Sequence, residues 1–565
     1  MEKKWWHEAI VYQIWPRSFC DGNGDGIGDL KGIISKLEYI KDLGATAIWF
    51  SPLYVSPQAD YGYDIADYYN INPEYGTMQE FEEVLDKAHS LGLKVIMDLV
   101  INHTSNRHEW FLKSRQGGEN NPYKDYYIWR KGKGKDGKKF PNNWTSTFPG
   151  NGWEYDDVRK EYYLHLFAKE QPDLNMDNPK VREEVKSIMK FWLDKGVDGF
   201  REDVITFISK KEGLPNGFPL MPAARGMEHY QNGPRLHEYL QEFKTVWKTY
   251  DAMTVGEAPM MTPKKALRYI GGENPDLNMM FHFQHMEADN IIFTWVRTRF
   301  KLVKLKKVYN NWQTKLHGKA WNALYIENHD QPRVISRYGS EKFRVESGKA
   351  LAVMYLCQSG TPFIYQGQEI GMLNCPLENL SDYPDVNTHA CYNLFSKLLK
   401  LACFRGKKLH DKLMSLARYA ARDNARTCMQ WDDTENAGFT TGKPWFVVND
   451  NYKKINVLAA QNDNNSILNF YKELIKIRKE NPVITYGDFK LYYKKHKKLF
   501  VYERNLEDNK IFVAINFSQT DTKIKVPSCI NIKGSKLLIS NYFVPDKNDL
   551  TVLKPYEARV YSIRN

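Results

Sequence analysis

Residues 180–203 read KVREEVKSIMKFWLDKGVDGFRED, and this stretch decides the fold. The first part, KVREEVKSIMKFWLDKG, has the spacing of apolar residues that is typical of an amphipathic helix. The second part, VDGFRED, is a short run typical of a buried strand. A helix that leads directly into a strand is the repeating unit of an α/β fold.

Seven similar strand-like runs occur in the first 370 residues, and helix-like stretches such as FEEVLDKAHSLG separate them. Parallel strands connected by helices produce this alternation. Eight βα units that close on themselves form a TIM barrel, so we predict a (β/α)8 barrel of the α/β class. The seven further runs are AIVYQIW (9–15), ATAIWFS (45–51), KVIMDLV (94–100), AMTVGE (252–257), LNMMFHF (277–283), NALYIEN (322–328) and TPFIYQG (361–367).

Two further parts are expected around the barrel. The interval 103–171, between the third and fourth runs, is long and rich in Trp, Tyr, Asn and Gly, so we predict an inserted subdomain there. Alternating strand patterns predict a C-terminal antiparallel β-sandwich domain over 484–565. The barrel is then expected over 1–102 and 172–483, with an extended segment over 367–459 after the eighth strand.

Charge and composition disfavour several classes of function. The net charge is +12, but lysines are spread along the 565 residues and acidic residues are interleaved with them, so we expect no nucleic-acid partner. The one dense basic run, KGKGKDGKK (131–139), contains glycines and predicts a solvated loop. Because no stretch approaches the roughly 20 apolar residues that span a bilayer, we expect no membrane partner.

The cysteines and the N-terminus indicate a reducing compartment. Seven cysteines without a CxxC pair disfavour a disulfide framework or a zinc site, so we expect free thiols. The N-terminus MEKKWWHEAIVYQIW lacks the apolar run of a secretion signal. We therefore predict a cytoplasmic protein that is a monomer or a weak oligomer.

Polar side chains accumulate where the predicted strands end. Catalytic groups of a (β/α)8 barrel lie at these C-terminal ends. A single Asp at a strand end is usually a cap or an ion-pair partner. Polar or charged residues at four strand ends together favour an active site. The residues are Asp98, Asn102 and His103 for the third strand, Arg201 and Asp203 for the fourth, Glu257 for the fifth, and His329 and Asp330 for the seventh.

Asp203 and Glu257 are the predicted catalytic pair. Arg201 and Asp203 share one face of a regular strand, and the charge of Arg201 is expected to lower the pKa of Asp203 and keep it ionised as a nucleophile. Glu257 is expected to be the protonated carboxyl that gives a proton to the departing oxygen. Glycoside hydrolysis with retention uses two such carboxyls about 5 Å apart, whereas inversion separates them further.

Three more strand-end residues complete this hypothesis. Asp330 would stabilise positive charge that develops on a sugar ring. His103 and His329 would donate hydrogen bonds to the hydroxyls of the same ring. Catalysis of this kind needs no metal ion.

These motifs resemble those of glycoside hydrolase family thirteen, the α-amylase family, over nearly the whole chain. They are DLVINH (98–103), GFREDVI (199–205), GEAP (256–259) and NHD (328–330). The stretches KKWWHEAIVYQIWPRSF, QPDLN, NHDQPRVISRYG and RDNARTCMQWDDTENAGFTTGKPW make the chain most similar to oligo-1,6-glucosidases and their near relatives. The resemblance implies a retaining, exo-acting α-glucosidase that cuts short α-linked gluco-oligosaccharides at the non-reducing end.

The resemblance implies the same roles for Asp203, Glu257 and Asp330, and it assigns Arg201, His103 and His329 to the non-reducing glucose. It also adds three residues to the pocket. Asp60 and Tyr63, in DYGYDIADY, match positions that bind the terminal sugar, and Arg422 would pair with Asp60 and close the pocket beyond one glucose. Val204 directly after the nucleophile is similar to relatives that favour α-1,6 bonds, since relatives that prefer α-1,4 bonds have a smaller residue there.

The segment DGNGDGIGD (21–29) is a candidate calcium loop. Oxygen ligands alternate with glycines that allow a sharp turn, as a hard cation with six or more oxygen ligands requires. Enzymes that this chain resembles bind calcium in the same loop, although Gly32 stands where an EF-hand has its twelfth-position Glu. An Asx-rich turn without metal is the alternative. The candidate ligands are Asp21, Asn23, Asp25, the Ile27 carbonyl and Asp29.

Other readings remain open at this stage. Trehalose-6-phosphate hydrolases share much of the barrel but usually lack the full acidic loop, and sucrose isomerases have an Arg-Asp-rich loop after strand six. Here that loop reads ADNIIFTWVRTRFKLVKLKK (288–307) and matches neither group well. A non-catalytic, glucosidase-like interaction protein is disfavoured because all three carboxylates are present.

The chain departs from the family pattern at three positions. Glu202 replaces an apolar residue between Arg201 and the nucleophile. Gln368 replaces the first Glu of the common motif QGEE, and Cys428 replaces a proline in RDNARTPMQW. By strand alternation Glu202 should point away from the pocket. We expect it to be outward and paired.

Overall fold

The computed structural model describes residues 2–219, 224–291 and 293–564. Within these ranges eight parallel strands close into a barrel, in which β1 lies between β8 and β2. The predicted (β/α)8 barrel is therefore confirmed, and every strand overlaps the run that predicted it. The strands are β1 (Val11–Ile14), β2 (Ala47–Phe50), β3 (Lys94–Leu99), β4 (Gly199–Glu202), β5 (Met253–Ala258), β6 (Met279–His282), β7 (Trp321–Leu324) and β8 (Thr361–Tyr365).

An outer layer of helices follows the strands, one after each strand. In the helix Pro179–Asp194, Pro179 occupies the first turn and the Asn178 side chain caps it by accepting from the Lys180 N–H (3.0 Å). Its buried face includes Val185 and Trp192, each worth ~1.5–3 kcal/mol of apolar burial. Among the described residues these helices are Leu30–Leu43, Met78–Ser90, Pro179–Asp194, Leu236–Trp247, Pro263–Ile270, Leu302–Leu316, Arg344–Leu356 and Ile467–Glu480.

The interior of the barrel is filled with side chains. Trp49 stacks on Phe281 with ring centroids 5.7 Å apart, and the Phe363 ring meets both of them edge-on. Ile96 and Val255 are buried in the same cluster. The barrel interior is thus a packed core, and in such barrels functional groups lie at the C-terminal ends of the strands.

The long interval between β3 and β4 contains its own helix and sheet. The helix is Glu109–Ser114, and the antiparallel strands are Trp129–Arg130, Trp153–Asp156 and Glu161–Leu164, with the last in the middle. The basic run 131–139 forms an exposed loop beside this sheet. The division into a separate subdomain over 103–171 stays a prediction.

The segment after β8 contributes a helical hairpin. Its helices, Val386–Leu401 and Gly406–Ala420, pack against each other, and the first of them is mostly half-buried. Shorter elements occur in the remaining connections. They are the helices Met227–Tyr230, Val334–Arg337, Asp423–Arg426, Val457–Asn462 and Pro482–Tyr486, and the paired strands Tyr54–Val55 with Asp67–Ile71 and Asn290–Ile291 with Phe293–Arg297.

The C-terminal region is an antiparallel sheet domain, as predicted. Its larger sheet has five strands within the described residues, and Thr522–Lys523 pairs with Val552–Leu553 beside it. The domain boundaries given by the sequence, including 484, stay predictions. The five strands, in sheet order, are Lys490–Tyr492, Leu499–Leu506, Asn509–Asn516, Ala558–Arg564 and Lys536–Ser540.

Each of the seven cysteines lies within the described ranges and is a free thiol. Four of them are buried, as a small apolar side chain usually is. No helix in the described ranges is both long enough and apolar enough to cross a membrane.

Candidate active site

Arg201 lies at the centre of a carboxylate cluster at the C-terminal end of β4. Its Nη1 donates to Asp98 (2.8 and 3.0 Å) and to Oδ1 of Asp203 (2.8 Å), and its Nη2 donates to Glu257. Asp98 stands opposite Arg201 in the β3–β4 register, and Val255 stands opposite it on β5. Because side chains alternate along a strand, Glu257 points to the same side as Val255. One guanidinium therefore bridges carboxyls from three adjacent strands.

The protonation of this cluster is dominated by burial. Asp203 is 6% exposed, and its removal from water raises its pKa well above the ordinary value. Arg201 opposes that shift, while the charges of Glu257 and Asp98 add to it. The expectation that Arg201 gives Asp203 a lowered pKa is therefore wrong in its net direction, because three carboxyls share one positive charge. The cluster favours keeping a proton.

Val204, directly after Asp203, has an uncommon backbone conformation. Its φ is 34° and its ψ is 39°, in the left-handed region that β-branched residues rarely adopt. Its N–H points to Oε2 of Glu257 (3.3 Å). Such a conformation costs about 1–3 kcal/mol and persists only where the surroundings enforce it. The turn places Asp203 and the Val204 side chain in the same pocket.

Asp330 lies among positive charges on another wall of the pocket. Arg422 and Arg426 donate to its Oδ1 (3.1 and 3.0 Å), and Nε2 of His329 lies 3.1 Å from its Oδ2. Burial acts to raise the pKa of Asp330, but these three neighbours outweigh it and hold that pKa well below normal. Asp330 is therefore the carboxylate of the site that is most firmly ionised.

Arg422 clamps the outer side of the pocket. It donates to Asp60 (3.0 Å) and makes a two-pronged ion pair with Asp385 (2.6 and 2.7 Å). Asp60 also accepts from Gln171 (3.2 Å). Burial raises the pKa of Asp60 to about 6, against the charge of Arg422. The sequence-predicted pair of Asp60 and Arg422 is thus present in the structure.

His329 packs against two aromatic rings. Its ring is nearly parallel to those of Trp15 and Tyr63, with centroids 5.2 and 5.3 Å away, and those two rings lie 6.5 Å from each other. The Tyr63 hydroxyl contacts Nε2 of His329 (2.7 Å) and donates to Asp98 (3.0 Å). Gln13 contacts the other ring nitrogen (2.8 Å). The orientation of His329 is therefore fixed on both sides.

His103 lies beside the pocket in a neutral state. Its two ring nitrogens contact the amides of Asn102 (3.2 Å) and Gln171 (3.1 Å). Burial lowers the pKa of His103 to about 4, so the ring carries no charge at neutral pH. A neutral imidazole can still exchange hydrogen bonds with a hydroxylated ligand.

The residues enclose one small pocket. Its volume is about 70 Å³. Phe148 and Phe167 form apolar parts of its wall. Its lining residues are Asp60, Tyr63, His103, Phe148, Phe167, Asp203, Val204, Glu257, Asp330 and Arg422.

The structure brings all nine sequence-predicted catalytic and substrate residues into this region. Arg201 and His329 do not line the pocket but contact residues that do. Four residues of the site had no assigned role in the sequence. Arg426 belongs to the quoted motif RDNARTCMQW, whereas Asp385, Phe148 and Phe167 lie in irregular segments with no periodic signal.

Glu202 differs from the expectation of a paired surface-directed group. Its side chain is 2% exposed, and its Oε2 has no hydrogen-bond partner among the described residues. Burial, followed by the charge of Asp276, raises the pKa of Glu202 to about 8. The expected pairing is therefore wrong. The influence of Asp276, and not of Asp203, agrees with a side chain directed out of the pocket.

The other two departures are accommodated by packing. Gln368 is buried and donates to the hydroxyls of Tyr355 and Tyr471 (both 2.9 Å). Cys428 is buried with its Sγ near the Phe446 carbonyl oxygen (3.3 Å). Neither residue lines the catalytic pocket.

The acidic loop at 21–29 is folded around its own side chains. Asp21 accepts from the N–H groups of Asn23 and Gly24 (2.9 and 2.7 Å). Asp29 caps the following helix by accepting from the Gly32 N–H (2.6 Å). The described residues contain no cluster of three or more His, Cys, Asp or Glu side chains arranged to hold a metal ion. The candidate ligands of the loop also include the Asn23 side-chain amide and the Ile27 backbone carbonyl, which are not His, Cys, Asp or Glu side chains.

Comparison with known proteins identifies the family. Residues 13–487 match the family model for the alpha amylase catalytic domain. The chain is 50% identical to an oligo-1,6-glucosidase of Parageobacillus thermoglucosidasius and 48% identical to one of Bacillus cereus, with 100% of both chains covered in each case. It is also 45% identical to an alpha-glucosidase of Candida albicans, again over 100% of both chains.

Solved structures with the same architecture carry other activities in their names. A trehalose-6-phosphate hydrolase of Bacillus licheniformis superimposes with a TM-score of 0.92 at 44% identity, and an isomaltulose synthase of Protaminobacter rubrum with a TM-score of 0.94 at 39% identity. Both alignments cover 100% of each chain. The architecture is thus shared by enzymes that act on different disaccharides.

Proposed function

Because the chain belongs to the α-amylase family of glycoside hydrolases, we propose that it is a retaining, exo-acting α-glucosidase. Its substrates would be short α-linked gluco-oligosaccharides, cut from the non-reducing end, with α-1,6 bonds preferred. The observation that carries the proposal is the Arg201 bridge, which holds Asp203 and Glu257 on neighbouring nitrogens of one guanidinium. Retention requires two carboxyls ~5–5.5 Å apart, and attachment to one guanidinium keeps this pair near each other.

The proposed reaction proceeds in two steps. In the first, a carboxylate oxygen of Asp203 bonds to the anomeric carbon while Glu257 gives its proton to the bridging oxygen, which departs as an alcohol. In the second, Glu257 takes a proton from water, the water oxygen bonds to the anomeric carbon, and Asp203 is released. This mechanism requires Glu257 to carry the proton and Asp203 to be ionised in the productive complex.

Ionised Asp330 would stabilise the positive charge that develops on the sugar ring in the transition state of each step. The pKa of Asp330, well below the ordinary value, keeps it charged at neutral pH. Asp60 and neutral His103, which line the same pocket, would accept or donate hydrogen bonds to ring hydroxyls.

The shape of the pocket supports exo action. Arg422 and Asp60 close it on one side. A polymer could not pass through a site closed in this way, so only a chain end would reach Asp203. The Val204 side chain at the pocket wall and the relatives named oligo-1,6-glucosidases support the preference for α-1,6 bonds.

Trehalose 6-phosphate and sucrose are the alternative substrates. The solved structures named trehalose-6-phosphate hydrolase and isomaltulose synthase motivate them. The identities of 45–50% to relatives named oligo-1,6-glucosidase or alpha-glucosidase favour the main proposal. A non-catalytic role is disfavoured by the assembled carboxyls of Asp203, Glu257 and Asp330.

Product analysis tests these proposals. The purified protein and an Asp203→Asn control would be incubated with isomaltose, maltose, sucrose, trehalose and trehalose 6-phosphate, and the products separated by chromatography. Glucose formed fastest from isomaltose, and only with intact Asp203, is the expected result. The anomeric form of the first glucose released, followed by NMR, should match that of the substrate. Faster turnover of sucrose or trehalose 6-phosphate would replace the substrate assignment, and an inverted product would refute retention.

We further propose that calcium binds the loop 21–29 as a structural ion. The proposal rests on the alternation of oxygen-bearing side chains with glycines in this loop. In the structure Asp21, Asn23 and Asp25 each accept an N–H group from inside the loop. Asp29 and the Ile27 carbonyl would complete the set. Chelation should lower the thermal unfolding midpoint of the protein and added calcium should restore it, because an ion that binds only the folded state stabilises that state. An unchanged midpoint would favour a metal-free Asx turn.

A cytoplasmic location is likewise a proposal, supported by the seven free thiols. A monomeric or weakly associated state also stays a prediction. Size-exclusion chromatography with light scattering over a range of protein concentrations would test the second point.

A further inference from the structure

A second cavity lies outside the catalytic pocket, and we propose that it binds a hydroxylated small molecule that carries a phosphate or carboxylate group. Its volume is about 400 Å³, within the ~300–1,000 Å³ of small-molecule sites. The residues that line it do not overlap those of the catalytic pocket. The inference is therefore independent of the proposed glucosidase activity.

Arg297 forms one side of this cavity. It ends the hairpin strand Phe293–Arg297, and its guanidinium carbon lies 3.6 Å from the centre of the Tyr419 ring. Its side chain donates no hydrogen bond to any residue that the structure describes. Stacking on an aromatic ring holds the planar guanidinium in place and leaves its N–H groups free at the edge.

Arg418, next to Tyr419 in the chain, is a second guanidinium on the cavity wall. Its Nε donates to the Leu377 carbonyl oxygen (2.8 Å), which is the sole side-chain hydrogen bond that it makes within the described ranges. Both terminal nitrogens thus remain available. A guanidinium anchored at Nε with its outer N–H groups free is suited to two-pronged binding of a carboxylate or phosphate.

The nearby carboxylates do not neutralise these arginines. Asp289, which binds the Tyr419 hydroxyl, is already paired with Arg337 through two contacts (2.9 and 2.7 Å). Glu341 lines the rim but is exposed and accepts from Ser336 (2.7 Å). Exposed Asp450 stands near Cys375 in the same wall and pairs with neither arginine in the described structure. Neither guanidinium group therefore forms an ion pair with a carboxylate among the described residues.

The rest of the wall is polar and suits hydroxyl groups. The Asn451 side-chain oxygen accepts from Gln430 (3.0 Å), while its N–H groups donate to no described residue. Ser415 lines the cavity and is exposed to it without a described hydrogen-bond partner. Amide and hydroxyl groups in this arrangement can bind the hydroxyls of a sugar, while the guanidinium groups bind its charged group.

Isothermal titration calorimetry tests the inference, with glucose 6-phosphate, glucuronate and inorganic phosphate as probes. Under the proposed function, excess glucose in the calorimeter cell occupies the catalytic pocket. Binding of the probes to that pocket then does not contribute to the measured heat. We expect wild type to bind glucose 6-phosphate or glucuronate, and Arg297→Gln and Arg418→Gln each to weaken binding about tenfold or more. The tighter of the two sugar acids identifies the charged group. Arg299→Gln is the matched control, since Arg299 is exposed in the same segment but does not line this cavity.

Three results would overturn the inference. The first is no binding of either sugar acid to wild type. The second is unchanged binding in both glutamine variants, and the third is an equal loss in Arg299→Gln, which would indicate general charge attraction. Arg297→Lys and Arg418→Lys keep the charge but not the two-pronged geometry, so intermediate losses are expected if a glutamine variant fails to fold. Circular dichroism and hydrolysis of isomaltose report on folding and on the proposed function separately.

Discussion

At the scale of single residues, substitutions of Glu257 and Asp203 should impair catalysis in different ways. Glu257→Gln removes the proton donor, so kcat/KM for isomaltose should fall about 10²–10⁴-fold. For a nitrophenyl α-glucoside, whose leaving group needs no proton, the loss in kcat/KM should be much smaller. Asp203→Asn removes the nucleophile and should abolish turnover of both substrates. Equal losses on both substrates in Glu257→Gln would contradict the assignment of Glu257 as the acid.

Glu202 makes a residue-scale prediction about stability and pH. Its pKa is raised to about 8 in the folded chain, so between its ordinary pKa of about 4.5 and 8 the folded state holds a proton that the unfolded state has lost. Stability from this residue is thus fully present at low pH and falls by ~1.4 kcal/mol per unit as pH rises through that window. Glu202→Gln should remove this slope.

The measurement is the urea unfolding midpoint of wild type and Glu202→Gln from pH 5 to pH 8. The variant should match wild type near pH 5 and be more stable at pH 8. Because Glu202 is directed away from the pocket, the pH profile of kcat/KM should be nearly the same in both proteins. A strongly shifted profile in Glu202→Gln would show that this carboxyl acts on Asp203 after all.

At the scale of elements, Asp385 joins a helix to the substrate pocket. It caps the helix Val386–Leu401 by accepting from the Asn387 N–H (2.9 Å), and it orients Arg422 through two contacts. Asp385→Asn keeps the cap but loses the ion pair, whereas Asp385→Ala loses both. Both variants should raise KM for isomaltose about tenfold or more because Arg422 is released. In addition, Asp385→Ala should lose ~1 kcal/mol of stability relative to Asp385→Asn.

Kinetics on isomaltose and urea denaturation of the two Asp385 variants separate these effects. An unchanged KM in both would show that Arg422 holds its place without Asp385. Equal stability of the Asn and Ala variants would show that the cap contributes nothing to the stability of this helix.

The barrel strands and the residues at their ends are the parts of the molecule that the sequence could predict. The eight barrel strands were predictable because each is a short strand-like run between amphipathic helices, and such local patterns depend on burial of a regular face. Asp203, Glu257 and Asp330 were predictable because strand ends fix their place in a barrel. Asp385, Phe148 and Phe167 were not, since irregular segments bring them to the pocket by contacts that leave no periodic trace.

The electrostatics of the site needed the three-dimensional structure. From the sequence, one Arg beside one Asp predicts a lowered pKa for Asp203. In the folded chain Asp98 and Glu257 compete for the same guanidinium and the cluster is buried, so the net direction is reversed. The same holds for Glu202, whose burial without a partner could not be read from strand alternation.

At the scale of the whole molecule, Lys306 joins the barrel to the C-terminal sheet domain. It lies in the barrel helix Leu302–Leu316, is fully buried, and donates to the carbonyl oxygens of Tyr493, His496 and Leu499 (2.5, 2.7 and 2.8 Å). These three carbonyls belong to the turn and the strand start that face the helix. The ammonium group therefore satisfies three acceptors across the junction of two structural units.

Lys306→Met should keep much of the packing but leave those buried carbonyls without a donor. Each unsatisfied acceptor costs about 1–3 kcal/mol, so the free energy of unfolding should fall by roughly 3 kcal/mol or more. Lys307→Met, at an exposed position on the same helix, is the matched control and should stay within about 0.5 kcal/mol of wild type. Guanidinium unfolding followed by tryptophan fluorescence and by residual isomaltose hydrolysis measures both. If the junction couples the two units, Lys306→Met should also separate the unfolding transition seen by fluorescence from the one seen by loss of activity. Coincident transitions with wild-type stability would mean that the units hold together without this lysine.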